Sequence, residues 1–96
     1  MTDKRKAYEE KLAAQLREWN AQITLLKAKA GTATANAKVE YYTTLEGLQH
    51  KRDAAHVKLQ ELKETGDEAW EELRIGVEKA WAEIKTAFHE AVAKLK

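Results

Sequence analysis

Residues 27–42 read KAKAGTATANAKVEYY, and how this stretch is read decides the fold. Strong helix-forming sequence lies on both sides, whereas Gly31, Thr32, Thr34 and Asn36 are mediocre to poor helix formers. If the chain turns here, it divides into three helices of about 29 residues, each roughly 43 Å long, the equal lengths an up-down-up bundle needs. If it runs straight through, those four residues sit inside one long helix at a cost of roughly 2–3 kcal/mol relative to alanine. Continuing the apolar spacing from Leu26 puts Ala30, Ala33 and Ala37 on the buried side, in step with Tyr41. That match discriminates little, because alanine is so frequent between Ala28 and Ala37 that most registers would find one.

Outward from this stretch, apolar residues recur at steps of three and four. The first series is Leu12, Leu16, Trp19, Ile23 and Leu26. The second is Tyr41, Leu45, Leu48, Arg52, Ala55, Leu59 and Leu62, with Arg52 a polar interruption. The third, and the most amphipathic, is Trp70, Leu73, Val77, Trp81, Ile84, Phe88, Ala91 and Leu95. Such spacing gives each helix a narrow apolar stripe to bury against another helix. Opposite charges at i,i+4 (Arg5/Glu9, Lys6/Glu10, Arg74/Glu78, Lys79/Glu83 and Glu90/Lys94) mark solvated helix faces.

A second break is expected at ETGDEAW, residues 64–70. Gly66 can end a helix in the left-handed conformation. Thr65 and Glu68 stand at capping-box spacing, or Asp67 can act as N-cap with acidic residues in the first turn. These signals place a tight turn at 65–67. Gly47 and Gly76 have no such company and are read as helix-interior glycines costing about 1 kcal/mol each.

Composition supports the helical reading. The chain of 96 residues has no proline and 34% charged residues, with Ala, Glu, Lys and Leu prominent, which suits a long helix or coiled coil rather than a sheet. With 44% apolar residues and a net charge of +1, it does not read as a disordered polyelectrolyte, and no global charge points to nucleic acid. Residues 1–30 carry seven Lys/Arg against four Asp/Glu, while residues 66–96 carry five against seven, so the two ends of the chain would attract when packed side by side. The lack of cysteine removes disulfides and thiol chemistry. MTDKRKAYEEKL has no apolar core of the kind a secretory signal needs, and no run approaches the ~18 apolar residues of a spanning helix. The expectation is a cytoplasmic protein forming a single helical domain over 1–96.

The stretches KRKAYEEKLAAQLREWNAQI, KVEYYTTLEGLQHKRDAAHVKLQEL and GDEAWEELRIGVEKAWAEIKTAF resemble a family of small, little-characterised bacterial coiled-coil proteins, some of them described as stress-response proteins. The likeness runs over about the full length and rests mainly on the placement of Trp and Tyr. In that family the counterpart of AGTATANA is charged and alanine-rich. The resemblance therefore implies a straight helix of some 60 residues, roughly 90 Å long, followed by a shorter helix folded back. This sequence departs from the pattern at Gly31, Thr32 and Thr34. The family supplies no catalytic residues.

The candidate sites reduce to bland readings. His50 and His56 are six residues apart and His89 stands beside Glu90, neither being the i,i+4 geometry of a helical zinc site. They are expected at the surface or the edge of the seam, with no metal or other cofactor. Trp19, Trp70, Trp81, Tyr8, Tyr41 and Phe88 fall on the apolar stripes and read as core anchors rather than base-stacking platforms, with Tyr42 at the edge. Glu71 and Glu72 are adjacent and point apart, and no nucleophile constellation or phosphate loop is present, so no enzyme and no small-molecule substrate is expected. The amphipathic segment 68–96 also suits a helix lying on a membrane surface, although its Glu-rich polar face would be repelled by anionic lipid.

The expectation is an all-α protein, an antiparallel coiled-coil or helical bundle. It has a long helix over about 2–64, with a candidate break at 31–36, and a second helix over about 67–95. Two such chains would pair as an antiparallel homodimer. The alternative is a monomeric up-down-up three-helix bundle. In function it reads as a non-enzymatic structural or protein-interaction protein, to which the family resemblance adds an implied association with stress, the alternative being a lipid-surface binder.

Overall fold

The computed structural model describes residues 2–95 and is all-α, with no strand among the described residues. Helix α1 spans Thr2–Gly31, α2 spans Ala35–Glu64 and α3 spans Asp67–Lys94. They run up, down and up in a rod of 52 × 19 × 18 Å. Of the two readings of residues 2–64, the structure takes the broken one: the chain turns inside the candidate break at 31–36, at Thr32–Thr34, which gives the three-helix arrangement rather than one straight helix.

Thr34 makes that turn. Its φ of −66° and ψ of 162° are extended, and its hydroxyl accepts from the Ala37 N–H, which makes it the N-cap of α2. On the other side, the N–H groups of Thr32 and Ala33 donate to the carbonyls of Lys29 and Ala30, and the Thr32 hydroxyl donates to Lys29 as well. Thr32 and Thr34 are thus spent on the orphan groups of two helix ends, and the chain avoids most of the propensity cost a straight helix would carry here.

The second turn lies where the sequence places it, with a different construction. Gly66 has φ −66° and ψ 158°, so it is extended rather than left-handed, and it serves as N-cap of α3 with no side chain to contribute. Thr65 does not form the capping box; its hydroxyl donates back to the Glu61 carbonyl at 2.6 Å. Asp67 and Glu68 occupy the first turn of α3, where carboxylates suit the positive end of the helix dipole.

Every residue of the first apolar series is buried, and so is Ala30. From the second come Leu45, Leu48, Ala55, Leu59 and Leu62; from the third come Trp70, Val77, Trp81, Ile84, Phe88, Ala91 and Leu95. Tyr8, Tyr41 and Leu73 pack against this core while half-buried. Arg52 stays at the edge of the seam and sends its guanidinium to Asn20 Oδ1 on α1 at 3.0 Å and to Asp53. No polar or charged residue is buried among those described.

α1 lies closer along α2 than along α3. Side-chain size is consistent with the asymmetry. Ala30 on α1 and Ala55 on α2 are fully buried small side chains, while α1 meets α3 through rings. Trp19 stacks on Phe88 with centroids 5.1 Å apart and planes 9° apart, and its ring lies 5.2 Å from that of Trp81.

Candidate functional site

The ring-filled face between α1 and α3 carries most of the clefts and most of the polar detail. Its lower end is built on Arg5. That guanidinium donates from Nε to Glu9 at 3.1 Å and from Nη1 to Asp67 at 2.7 Å. From Nη2 it reaches the carbonyls of Leu62, Lys63 and Thr65 at 3.1, 3.0 and 2.6 Å. A single side chain at the start of α1 therefore satisfies the exposed carbonyl end of α2 and holds the first residue of α3. A cation at a helix C-terminus is favoured by the dipole, and the planar fork of arginine suits several oxygens at once.

Trp70 lies over this group. Arg5 sits 5.7 Å from the Trp70 ring centroid, and the indole N–H donates to Glu9 Oε2 at 3.0 Å. Tyr8 meets Trp70 edge to face at 5.8 Å, and Arg74 caps the Tyr8 ring at 5.7 Å while bonding Glu71 and Glu78. The pKa of Arg5 is lifted above its ordinary value: partial burial works against the charge, but the bonds to Glu9 and Asp67 outweigh it. That of Arg74 is lifted first by its bond to Glu71. The Tyr8 phenol is raised, first by burial and then by the negative charge of Glu78, with Arg74 opposing. Both guanidinium groups are fixed cations here, and Tyr8 is a neutral phenol at ordinary pH.

Upward along the same face run open clefts. One of about 360 Å³ is bordered by Lys4, Tyr8, Trp70, Glu71 and Arg74. Another, of about 300 Å³, is floored by Trp19 and Phe88 and edged by Glu18, Gln22, Lys85 and His89. Gln22 Oε1 and Trp81 Nε1 are buried without a protein partner on this side of the bundle. The clefts open to solvent along their length, so they are grooves between helices rather than enclosed chambers.

At the other end, the Tyr41 hydroxyl donates to the Leu95 carbonyl at 2.8 Å, and Lys94 meets Glu40 at 3.2 Å. Arg5 and Tyr41 thus each close the carbonyl end of another helix. Both act as fasteners between helix ends.

The residues singled out from sequence are scattered by the fold. His50, His56 and His89 are all exposed, on α2 and α3. Among the described residues, no group of three or more His, Asp or Glu stands where it could hold a metal ion. Glu71 is drawn to Arg74 rather than to Glu72. Lys94, expected to pair with Glu90, meets Glu40 on α2. Tyr42 is half exposed, as its place beside the stripe suggests. Sequence reasoning missed the roles of Arg5 and Tyr41. Arg5 was visible only as the partner of Glu9, because its other partners lie 57–62 residues away with no local signal to mark them. Comparison with family models, with curated proteins and with solved structures finds no match for the chain.

Proposed function

We propose that the protein is a non-enzymatic structural or protein-interaction coiled-coil protein that works by helix-to-helix contact with a second copy of itself or with another helical protein. The setting follows from the family resemblance: a bacterial cytoplasm under stress. The observation that carries the reading is the use made of the side chains. The three apolar stripes are turned inward to make a rod 52 Å long, and the well-formed polar groups, around Arg5 and Tyr41, fasten helix ends. A molecule spent in this way offers its partners shape and charge along helices.

The lipid-surface alternative draws on the same α3 residues that the bundle consumes. Trp70, Trp81 and Phe88 are 4%, 6% and 2% exposed, so α3 would have to leave the bundle before its apolar face met a bilayer. No helix among the described residues is long and apolar enough to cross a membrane.

Two measurements test the reading together. Cross-linking in the native cell, followed by capture of the chain, should recover a second copy or a defined helical protein. Flotation with neutral and anionic vesicles should leave the protein in the unbound fraction. Flotation with vesicles would transfer the function to the lipid-binding class.

A further inference from the structure

We infer that the turn at residues 32–34 is a hinge through which two copies exchange α1, giving an antiparallel dimer in which α1 and α2 join into one helix of about 95 Å. The inference rests on the self-association branch of the proposed function and names its partner, a second copy of this chain.

The turn is built so that little has to change. Among the described residues no φ is positive, so no residue between Gly31 and Ala35 is held in the left-handed region, and at Thr34 one ψ rotation separates the turn from a helix. Thr34 already has a helical φ of −66°; the ψ of 162° is what sets it outside the helix. The bonds that hold the turn are local and long. The Ala37 N–H lies 3.4 Å from the Thr34 hydroxyl, and the N–H groups of Thr32 and Ala33 lie 3.2 Å from their acceptors. A Cβ added at Gly31 would meet nothing within 4 Å, so neither the turn nor the packing requires glycine there.

The other turn is built the opposite way. The residues flanking Gly66 are held from outside by Arg5, whose bonds reach Leu62, Lys63, Thr65 and Asp67. Opening is thereby directed to one end of the rod. When α1 exchanges, the Arg5 of one copy reaches the α2–α3 turn of the other, and the Trp19–Phe88 and Tyr8–Trp70 contacts re-form between chains. Because an exchanged element repeats the contacts it leaves, the swap costs little beyond the hinge itself.

The alanine-rich hinge is compatible with a continuous seam, although alanine there would suit most registers. With the turn made helical, Ala30, Ala33 and Ala37 fall in line between Leu26 and Tyr41 at steps of three and four. In the closed chain Ala30 is fully buried, and Ala33 and Ala37 are half-buried. In the dimer this segment lies at the centre, where two long helices cross beyond the end of either α3. Small side chains let the helices approach there without a third helix to cover them.

The test uses the full chain, refolded at high concentration, with molar mass read by light scattering. Ala35 is the first residue of α2, where proline is favoured in the closed form, and its predecessor Thr34 already has the extended backbone that a following proline demands. In the joined helix the same proline would stand in the interior and break it. Ala35→Pro should therefore stay helical by circular dichroism and run as the monomer of 10.9 kDa at every concentration. Thr34→Ala removes the N-cap of the closed form and suits the joined helix. With two hinges per dimer it should raise the dimerisation constant by about tenfold or more. The inference is overturned if Ala35→Pro dimerises as readily as the wild type, an outcome that would leave self-association through an outer face standing. It is equally overturned if neither wild type nor Thr34→Ala yields a dimer at about millimolar concentration, in which case the proposed function is judged by its helical partner alone.

Discussion

The Arg5 guanidinium donates to the Thr65 carbonyl at 2.6 Å, joining the first turn of α1 to a residue sixty positions later in the chain. The same group reaches Leu62, Lys63 and Asp67, so one side chain orders the whole α2–α3 connection. Arg5→Lys keeps the charge but loses the fork that serves several oxygens at once. Arg5→Ala loses both. Melting temperature should fall in the order wild type, Lys, Ala, and amide exchange should quicken first at residues 62–67. Equal melting of the two variants would mean that charge alone carries the effect.

Trp19 is 2% exposed and packs against both Phe88 and Trp81. Truncating it to alanine opens a void between α1 and α3 that two helices cannot close without moving. Trp19→Ala should cost about 3–5 kcal/mol in urea unfolding. Against a total of ~5–15 kcal/mol for a domain, that leaves a marginal fold. Trp19→Phe, which keeps a ring, should cost clearly less.

Gly47 and Gly76 are helix-interior glycines with nothing within 4 Å of an added Cβ and no positive φ. Gly47→Ala and Gly76→Ala should each stabilise the protein by roughly 0.5–1 kcal/mol, the ordinary propensity difference, and the double variant should show the sum. A loss of stability at either position would reveal that the glycine faces a helix of another molecule.

Tyr8 supplies a pH signature. Burial, and then the charge of Glu78, raise its folded pKa above the value of about 10 that the unfolded chain keeps. Above pH ~10 the unfolded chain gives up the phenolic proton that the folded chain retains, so stability present below that pH is lost as pH rises toward the folded pKa. Tyr8→Phe should flatten this alkaline decline. The difference in phenolate absorbance between wild type and Tyr8→Phe should titrate above pH ~10.

The periodic residues foretold the core closely: Leu12 through Leu26, Leu45 through Leu62 and Trp70 through Leu95 are buried much as their spacing requires. The turn at 65–66 was legible because glycine and acidic first-turn residues stand together. Its extended backbone was not, because Gly66 permits either hand. The turn at 32–34 was harder to read. Thr34 has an N-cap side chain, but alanine on every side fits a helix and a turn equally well. The contacts of Arg5 with α2 and α3, and of Tyr41 with Leu95, were out of reach, since they depend on which helix end folds against which.

The placement of the indoles has a spectroscopic consequence. Trp19 looks from α1 toward α3, while Trp70 and Trp81 look from α3 toward α1, so every tryptophan in the chain reports on that one seam. Emission will therefore follow the docking of α3 on α1 and stay nearly silent to whether the α1 involved belongs to the same molecule. A protein whose emission holds steady while its molar mass doubles would be recognised by this combination, with no label added.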